Sequence, residues 1–304
     1  METPFADSLS PFVFDRAAVR GAVVSLDAAC AEILDCHPYP PALRRALGEL
    51  LAAAALLTAT LKFDGSLTVQ LQGDGPVRLL VVECDAALTQ RATAQWNERA
   101  LALRPDAPLA ALAGGPAHGR LAITLDPRDG GPIYQGIVAL EATSIATLIE
   151  HYLSTSEQID SRMLLAGEGD RVRGLLLQRL PGGSPEDLWA WEGAAAQLDL
   201  LGSDRLLAAS TVETLVAERF PEHDIRLFAP RAARAWCSCS AERVATALRL
   251  LGRAEVESIL AEQGSVSVTC EFCNRRYAYD AVGARALFPT DAGAGPLPAP
   301  PLHH

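Results

Sequence analysis

Between Pro41 and Leu61 the leucines Leu43, Leu47, Leu50, Leu51, Leu57 and Leu61 recur at helical spacing, with alanine filling positions between them. That pattern predicts a core helix. The period then changes. Leu67, Val69 and Leu71 alternate with Thr68, Gln70 and Gln72, which is the two-residue period of a strand. Gly73-Asp74-Gly75-Pro76 interrupts before Val77-Arg78-Leu79-Leu80-Val81-Val82, so the two runs predict a β-hairpin.

A second pair repeats the logic. Leu121 to Leu125 and Ile133 to Leu140 flank Asp126-Pro127-Arg128-Asp129-Gly130-Gly131-Pro132, whose turn formers have no place inside a strand. Ser144 to Leu153 has a helical pattern. A third pair, Met163 to Ala166 and Val172 to Gln178, turns at Gly167-Glu168-Gly169-Asp170. Strands and helices follow without regular βαβ alternation, so the expected class is α+β with antiparallel strands, filling an N-terminal core domain over residues 1–183.

Past Pro181-Gly182-Gly183-Ser184-Pro185 the strand signals stop. Up to about Arg231 only helical patterns occur, such as Asp187 to Leu201 and Thr211 to Phe220, and residues 184–231 read as a helical connector. Its Leu188, Trp189, Trp191, Leu198, Leu200, Leu201, Leu206, Leu207, Leu215, Val216 and Phe220 are too apolar for a solvated linker, so it must pack on something. Residues 232–288 remain as a small C-terminal module. Residues 289–304, with five prolines, are expected to be disordered.

A length of 304 residues suits one large domain and a small module. The formal charge of −11, from 26 Lys+Arg against 37 Asp+Glu, repels phosphate backbones, so nucleic acid is not an expected partner. The opening Met1-Glu2-Thr3-Pro4-Phe5-Ala6-Asp7 carries acid where a secretory signal carries Lys or Arg. The uncharged run Leu50 to Leu61 falls short of the roughly 20 apolar residues that span a bilayer. A cytoplasmic protein without a membrane partner is expected. His37, His118, His151 and His223 lie isolated, without the Ser and Asp partners of a triad, and His303 and His304 end the tail. No enzyme is expected.

Cytosolic thiols are kept reduced, so seven cysteines, an odd number, point to metal binding or redox chemistry rather than a disulfide framework. Four fall together as Cys237-Ser238-Cys239 and Cys270-Glu271-Phe272-Cys273. Each close pair offers two thiolates from one turn, and Ala241 to Leu251 and Val256 to Gln263 have the pattern of a helical unit between them. Four thiolates closing on one ion give tetrahedral zinc with no open position. Activated water then has nowhere to sit, which excludes zinc hydrolysis and leaves a structural or switching metal. In so small a module metal binding and folding are one event, since structural zinc contributes roughly 10–16 kcal/mol. Thiolates are also what oxidants attack, and each has a resolving partner nearby in the chain. Oxidation would close Cys237 on Cys239 and Cys270 on Cys273, consume the ligands, and be reversible by thiol-disulfide reductants.

The run Cys237-Ser238-Cys239-Ser240-Ala241-Glu242-Arg243-Val244, then Leu250-Leu251-Gly252, then Cys270-Glu271-Phe272-Cys273-Asn274 with Tyr277, closely resembles the zinc-binding end of the redox-regulated 33 kDa heat shock protein family. Leu56-Leu57-Thr58-Ala59-Thr60-Leu61-Lys62-Phe63, Gln70-Leu71-Gln72-Gly73-Asp74-Gly75-Pro76, Tyr134-Gln135-Gly136-Ile137-Val138 and Tyr152 through Ser156-Glu157-Gln158 extend the resemblance over most of the chain. It implies a holdase chaperone without ATP turnover, which binds unfolding proteins and prevents their aggregation under oxidative and heat stress. It further implies an inactive reduced monomer carrying one zinc on Cys237, Cys239, Cys270 and Cys273, and an active oxidised homodimer whose connector has unfolded. Ile159-Asp160-Ser161 and the Pro-rich tail depart from the family pattern without touching the switch.

Plainer alternatives stand beside these. The four cysteines also fit a permanently structural site, and Cys270 with Cys273 alone would suit a thioredoxin-like motif, although that needs a βαβ setting. Cys30, Cys36 and Cys84 sit among apolar residues and read as core packing. Gly73-Asp74-Gly75 lacks the Lys-Ser/Thr of a phosphate loop and precedes a strand, which makes it a hairpin turn. Residues 231–288 hold eight Arg against six Asp or Glu, a local balance of +2 that keeps a nucleic-acid-binding zinc module as the rival function. Steep loss of affinity with salt would mark that rival.

Overall fold

The alanine-leucine run folds as the helix around which most of the chain is built, and every residue from Leu50 to Leu57 is fully buried. Alanines let strands approach closely while leucines fill the gaps, as a densely packed interior requires. The computed structural model describes residues 7–60, 64–115 and 119–288. The chain divides into two compact units, the first ending at Cys237 and the second beginning at Ser238.

In the larger unit, the first sheet contains β1 (Ser8–Phe14), β2 (Val19–Leu26), β8 (Ser161–Glu168) and β9 (Arg171–Arg179). Short strands β10 (Ile225–Leu227) and β11 (Arg231–Ala232) pair along the outer side of β1, giving the order β10-β1-β2-β9-β8. The second sheet holds β3 (Gly65–Gln72), β4 (Val77–Asp85), β5 (Thr89–Trp96), β6 (Arg120–Pro127), β7 (Tyr134–Ala139) and β12 (Arg234–Ala235), ordered β12-β5-β4-β3-β6-β7. Pairing is antiparallel throughout except for β12 on β5. Helices α1 (Ala28–Leu34), α2 (Pro41–Thr60), α3 (Leu109–Ala113) and α4 (Ile145–Thr155) precede three connector helices, α5 (Pro185–Asp199), α6 (Ser203–Ala208) and α7 (Val212–Arg219). The fold is α+β, as the mixture of periods predicts. No described helix is long and apolar enough to cross a membrane.

The predicted hairpins form β3 with β4, β6 with β7, and β8 with β9. Gly73 and Gly75 are required at the first turn by close approach: a Cβ on Gly73 would stand 2.4 Å from the Ala113 carbonyl oxygen, which accepts from the Gly75 amide at 3.1 Å. Ser144 caps α4, its hydroxyl accepting from the Thr147 amide at 3.2 Å. Leu61, predicted to end the long helix, lies outside the described residues, as do His118 and residues 289–304.

Strand β3 alternates strictly between buried and half-exposed, whereas β9 is buried from Val172 to Gln178. The difference is that the first sheet is covered on both faces. Leu176 joins the main core with α2, while Leu175 and Leu177 join Phe12, Phe14, Val19 and Val23 in a second cluster. The connector completes that cluster with Trp191, Leu198, Leu206, Leu215, Val216 and Phe220. Its predicted need for a cover is met in part by the outer face of this sheet, since Leu188, Trp189 and Leu200 stay exposed.

The connector is not purely helical, which corrects the sequence-based expectation. Ile225-Arg226-Leu227 pairs with β1 through Phe12↔Leu227 and Phe14↔Ile225, a run too short for alternation to be seen locally. Strands β1, β2 and β5 also went unpredicted. Pro11 interrupts the pattern of β1, yet it falls between the stretches paired to β10 and β11, where its missing N–H costs no ladder bond.

The smaller unit contains α8 (Ala241–Leu251), α9 (Arg253–Gln263), β13 (Val266–Thr269), β14 (Arg276–Tyr279) and α10 (Ala281–Ala286). Its buried cluster is Val244, Leu248, Val256, Leu260, Val266 and Ala284. The two predicted helices are present, with α9 starting at Arg253 rather than Val256.

Candidate metal centre

The first cysteine pair brackets the point where an extended segment becomes a helix. Along β12 and just beyond it, the Arg234 amide donates to Leu88 O at 3.1 Å and the Trp236 amide to Gln90 O at 2.9 Å, which sets the chain leading to Cys237. Cys239 immediately precedes Ser240, the N-cap of α8, whose hydroxyl accepts from the Arg243 amide at 3.2 Å. The second pair occupies the turn from β13 to β14. There the Cys270 amide donates to Arg275 O and the Asn274 amide to Cys270 O, both at 2.9 Å. Asn274 takes φ 55°, a left-handed conformation that asparagine tolerates better than most residues.

These turns bring all four predicted cysteines together. The sulfurs of Cys237, Cys239, Cys270 and Cys273 lie within 4.8 Å of one another, with Cys239 and Cys273 at 3.3 Å. Zinc–thiolate bonds of about 2.3 Å set tetrahedral sulfurs about 3.8 Å apart, so the cluster is the right size for one ion. An all-thiolate donor set suits zinc and other soft metals. All four cysteines are half-buried, within reach of a small oxidant.

Polar neighbours surround the sulfurs. The Tyr277 hydroxyl donates to Cys239 Sγ at 3.1 Å, and the Tyr279 hydroxyl donates to Ala241 O at 3.1 Å. The hydrogen bond to Cys239, followed by desolvation, holds the Tyr277 phenol above its ordinary pKa, so it stays a donor. Arg275 is held above its ordinary value by its hydrogen bond with Tyr277 first, then by the charges of Tyr277, Cys239 and Cys273. Arg243 donates to Ser238 Oγ at 2.7 Å. Within the larger unit, Arg91 donates to Cys237 Sγ at 3.9 Å and pairs with Glu83 at 2.6 Å.

The other cysteines differ. Burial pushes the Cys30 thiol up to about 12 and the Cys84 thiol up to about 11, which makes both poor nucleophiles, as core packing predicts. Cys36 corrects that expectation: it is half-buried and its thiol donates to Glu32 O at 3.3 Å. His223 stacks on Phe14 with ring centroids 4.5 Å apart, and His37 packs against Tyr39 at 5.4 Å. No histidine or carboxylate joins the thiol cluster among the described residues. Sequence patterning assigned no role to Tyr277 beyond motif resemblance. The alternation Tyr277-Ala278-Tyr279, which sets two phenols on one face of a strand after Cys273, was the available signal.

The chain is similar to known proteins over most of its length. The family model described as Hsp33 protein matches residues 7–280. The chain is 44% identical over 289 residues to a 33 kDa chaperonin of Methylobacillus flagellatus, covering 94% of this chain and 96% of that one. It is 42% identical to a 33 kDa chaperonin of Chromobacterium violaceum, with coverage of 95% and 96%. A crystal structure of a 33 kDa chaperonin from Thermotoga maritima shares the fold, with a TM-score of 0.76 at 22% identity over 93% of this chain and 98% of that one.

Proposed function

Because this chain belongs to the Hsp33 family, whose relatives are named chaperonins and not enzymes, we propose that it is a redox-regulated holdase whose reduced, zinc-bound form is inactive. The observation that carries this reading is the convergence of four half-buried sulfurs within 4.8 Å. Cys237, Cys239, Cys270 and Cys273 would hold the metal, and bound zinc would supply the cross-link that the small buried cluster of residues 238–288 does not provide.

Peroxide disarms such a site through its ligands. One thiolate attacks hydrogen peroxide, the O–O bond breaks, hydroxide leaves, and that cysteine becomes a sulfenic acid. Its neighbour's thiolate then displaces the second hydroxide as the S–S bond forms. Two thiolates have given up two electrons, and the two hydroxides take up protons to become water. Closure of Cys237 on Cys239 and of Cys270 on Cys273 removes every ligand.

Loss of order in the module reaches the connector through the continuous chain, Cys237 back to β12, β11 and β10. The connector covers Phe12, Phe14, Val19, Val23, Leu175 and Leu177. Lifting α5 to α7 exposes that face together with the connector's own apolar side, a large patch suited to unfolded client proteins and to a second copy of the chain. The active form is then an oxidised homodimer, reset by thiol-disulfide reductants. Such a cycle suits the cytoplasm, where those reductants operate.

The test is zinc release and suppression of aggregation, followed on one sample through peroxide treatment at mild heat. Both are expected to rise together, and Cys237→Ser or Cys270→Ser weakens zinc binding and uncouples protection from oxidant. Full metal occupancy after oxidation, or equal protection by fully reduced protein, removes the proposal.

A further inference from the structure

Where α2 ends, the inner face of the first sheet carries two rows of side chains in register. Pro11, Ala22 and Leu176 pair across β1, β2 and β9 as an apolar row, and Val13, Arg20 and Gln178 form the next. Thr60 at the helix end and Phe228 beyond β10 wall in a cavity of about 150 Å³ over these rows. Phe228 is seated by its amide, which donates to Pro11 O at 2.9 Å. The Arg20 guanidinium is half-buried there. Its Nε donates to Gln178 Oε1 at 3.0 Å and its Nη2 to Thr60 O at 3.4 Å. Gln178, 1% exposed, is itself fixed by donating to Ser161 Oγ at 3.2 Å. Burial holds the Arg20 guanidinium below its ordinary pKa, and no carboxylate among the described residues pairs with it. It stays charged at physiological pH all the same. A cation drawn out of water without a counter-charge costs free energy that an anion can offset.

We propose that this cavity is a binding site for a small organic monocarboxylate, whose carboxylate pairs with Arg20 and whose apolar body lies against Leu176 and Phe228. A guanidinium has five N–H donors, and Arg20 spends two on Gln178 and Thr60, which leaves three for a planar carboxylate. Inorganic phosphate suits the cavity less. Its second charge finds no second cation among the lining residues, and its outer oxygens would face Ala22 and Leu176. A cavity of about this volume holds a benzene ring, so benzoate has the right size. The site lies in the larger unit and uses none of the cysteines, so it is independent of the redox switch.

The experiment titrates benzoate, benzamide and inorganic phosphate into the full-length, zinc-loaded protein, reading heat by calorimetry and amide shifts by NMR. Benzoate is expected to bind saturably and to shift the amides of Arg20 and Phe228. Benzamide, which lacks the charge, and phosphate, which lacks the apolar body, are each expected to bind about tenfold more weakly or worse. Arg20→Gln removes the cation and is expected to weaken benzoate binding by about tenfold or more, while Phe228→Ala, which trims an exposed wall, weakens it several-fold. The comparison of the three ligands needs no variant, so it decides the matter even if Arg20→Gln folds poorly. An N-acetylated dipeptide with a free carboxylate separates a chain terminus from a free acid, and the size of the cavity favours the free acid. No saturable binding of benzoate, equal affinity for benzamide, or tighter binding of phosphate or of the dipeptide overturns the proposal. So does unchanged affinity in Arg20→Gln or Phe228→Ala, or shifts confined to residues away from the cavity.

Discussion

Residues 7–237 and residues 238–288 reach a folded state by different routes. The larger unit buries a whole helix between strands and covers one sheet twice. The smaller one has a buried cluster of six residues and leaves Leu250 at 85% and Val282 at 77% exposure. Five of those six are Val or Leu and one is Ala284, so burial contributes little there, and on the proposed reading a bound metal adds the cross-link. Burial depends on no thiol, so the two sheets and the central helix of the larger unit are expected to persist under oxidation. If four thiolates hold a metal in the smaller unit, as proposed, consuming them would undo that unit, which would suit it to sensing oxidants.

Chelation breaks the comparison most directly. Stripping metal from the reduced protein is expected to abolish amide protection in residues 238–288, a loss on the scale of roughly 10–16 kcal/mol, while the main sheets keep their hydrogen-exchange protection. Retained protection in the metal-free module would show that burial suffices there too.

Next in size is Phe220→Ala. Phe220 is 2% exposed and packs on Phe14 and Phe12, with ring centroids at 5.4 and 6.4 Å. Emptying that site costs about 3–5 kcal/mol and loosens the connector from the first sheet. Urea unfolding should record the loss while zinc content stays stoichiometric. A fall in zinc content would mean the two units are not stabilised separately.

The smallest effect concerns pH. Burial first, against the opposing influence of Arg45, pushes Glu49 up from 4.5 to about 7. Between those values the folded chain retains a proton that the unfolded chain releases, so the stability of the larger unit falls as pH rises from about 4.5 to about 7. The total is up to about 3 kcal/mol, and Glu49→Gln is expected to flatten the slope of the urea midpoint against pH. An unchanged slope would assign the pH dependence to other groups.

The site was more legible than the fold around it. Cys237, Cys239, Cys270 and Cys273 announce themselves because two turns each supply a pair of thiols, and spacing within a turn is a local property. The three hairpins and the long helix were legible for the same reason, since each period repeats within one segment. Strand β9 was legible as a strand, but that both its faces are buried depends on α2 and the connector arriving from distant parts of the chain. Cys36 reads as a core residue among apolar neighbours, yet it sits just past the end of α1 and stays half-buried.

By itself, then, the order of residues determined the α+β class, the principal hairpins, the central helix and the two close cysteine pairs, because periodicity and turn chemistry act over a few residues. Only the tertiary structure decided that the connector lies on the outer face of the first sheet, that Ile225-Arg226-Leu227 adds a strand beside β1, and that Tyr277 reaches Cys239. Those outcomes are choices of partner between residues far apart in the chain or on separate elements. Packing makes such choices, and no local pattern encodes them.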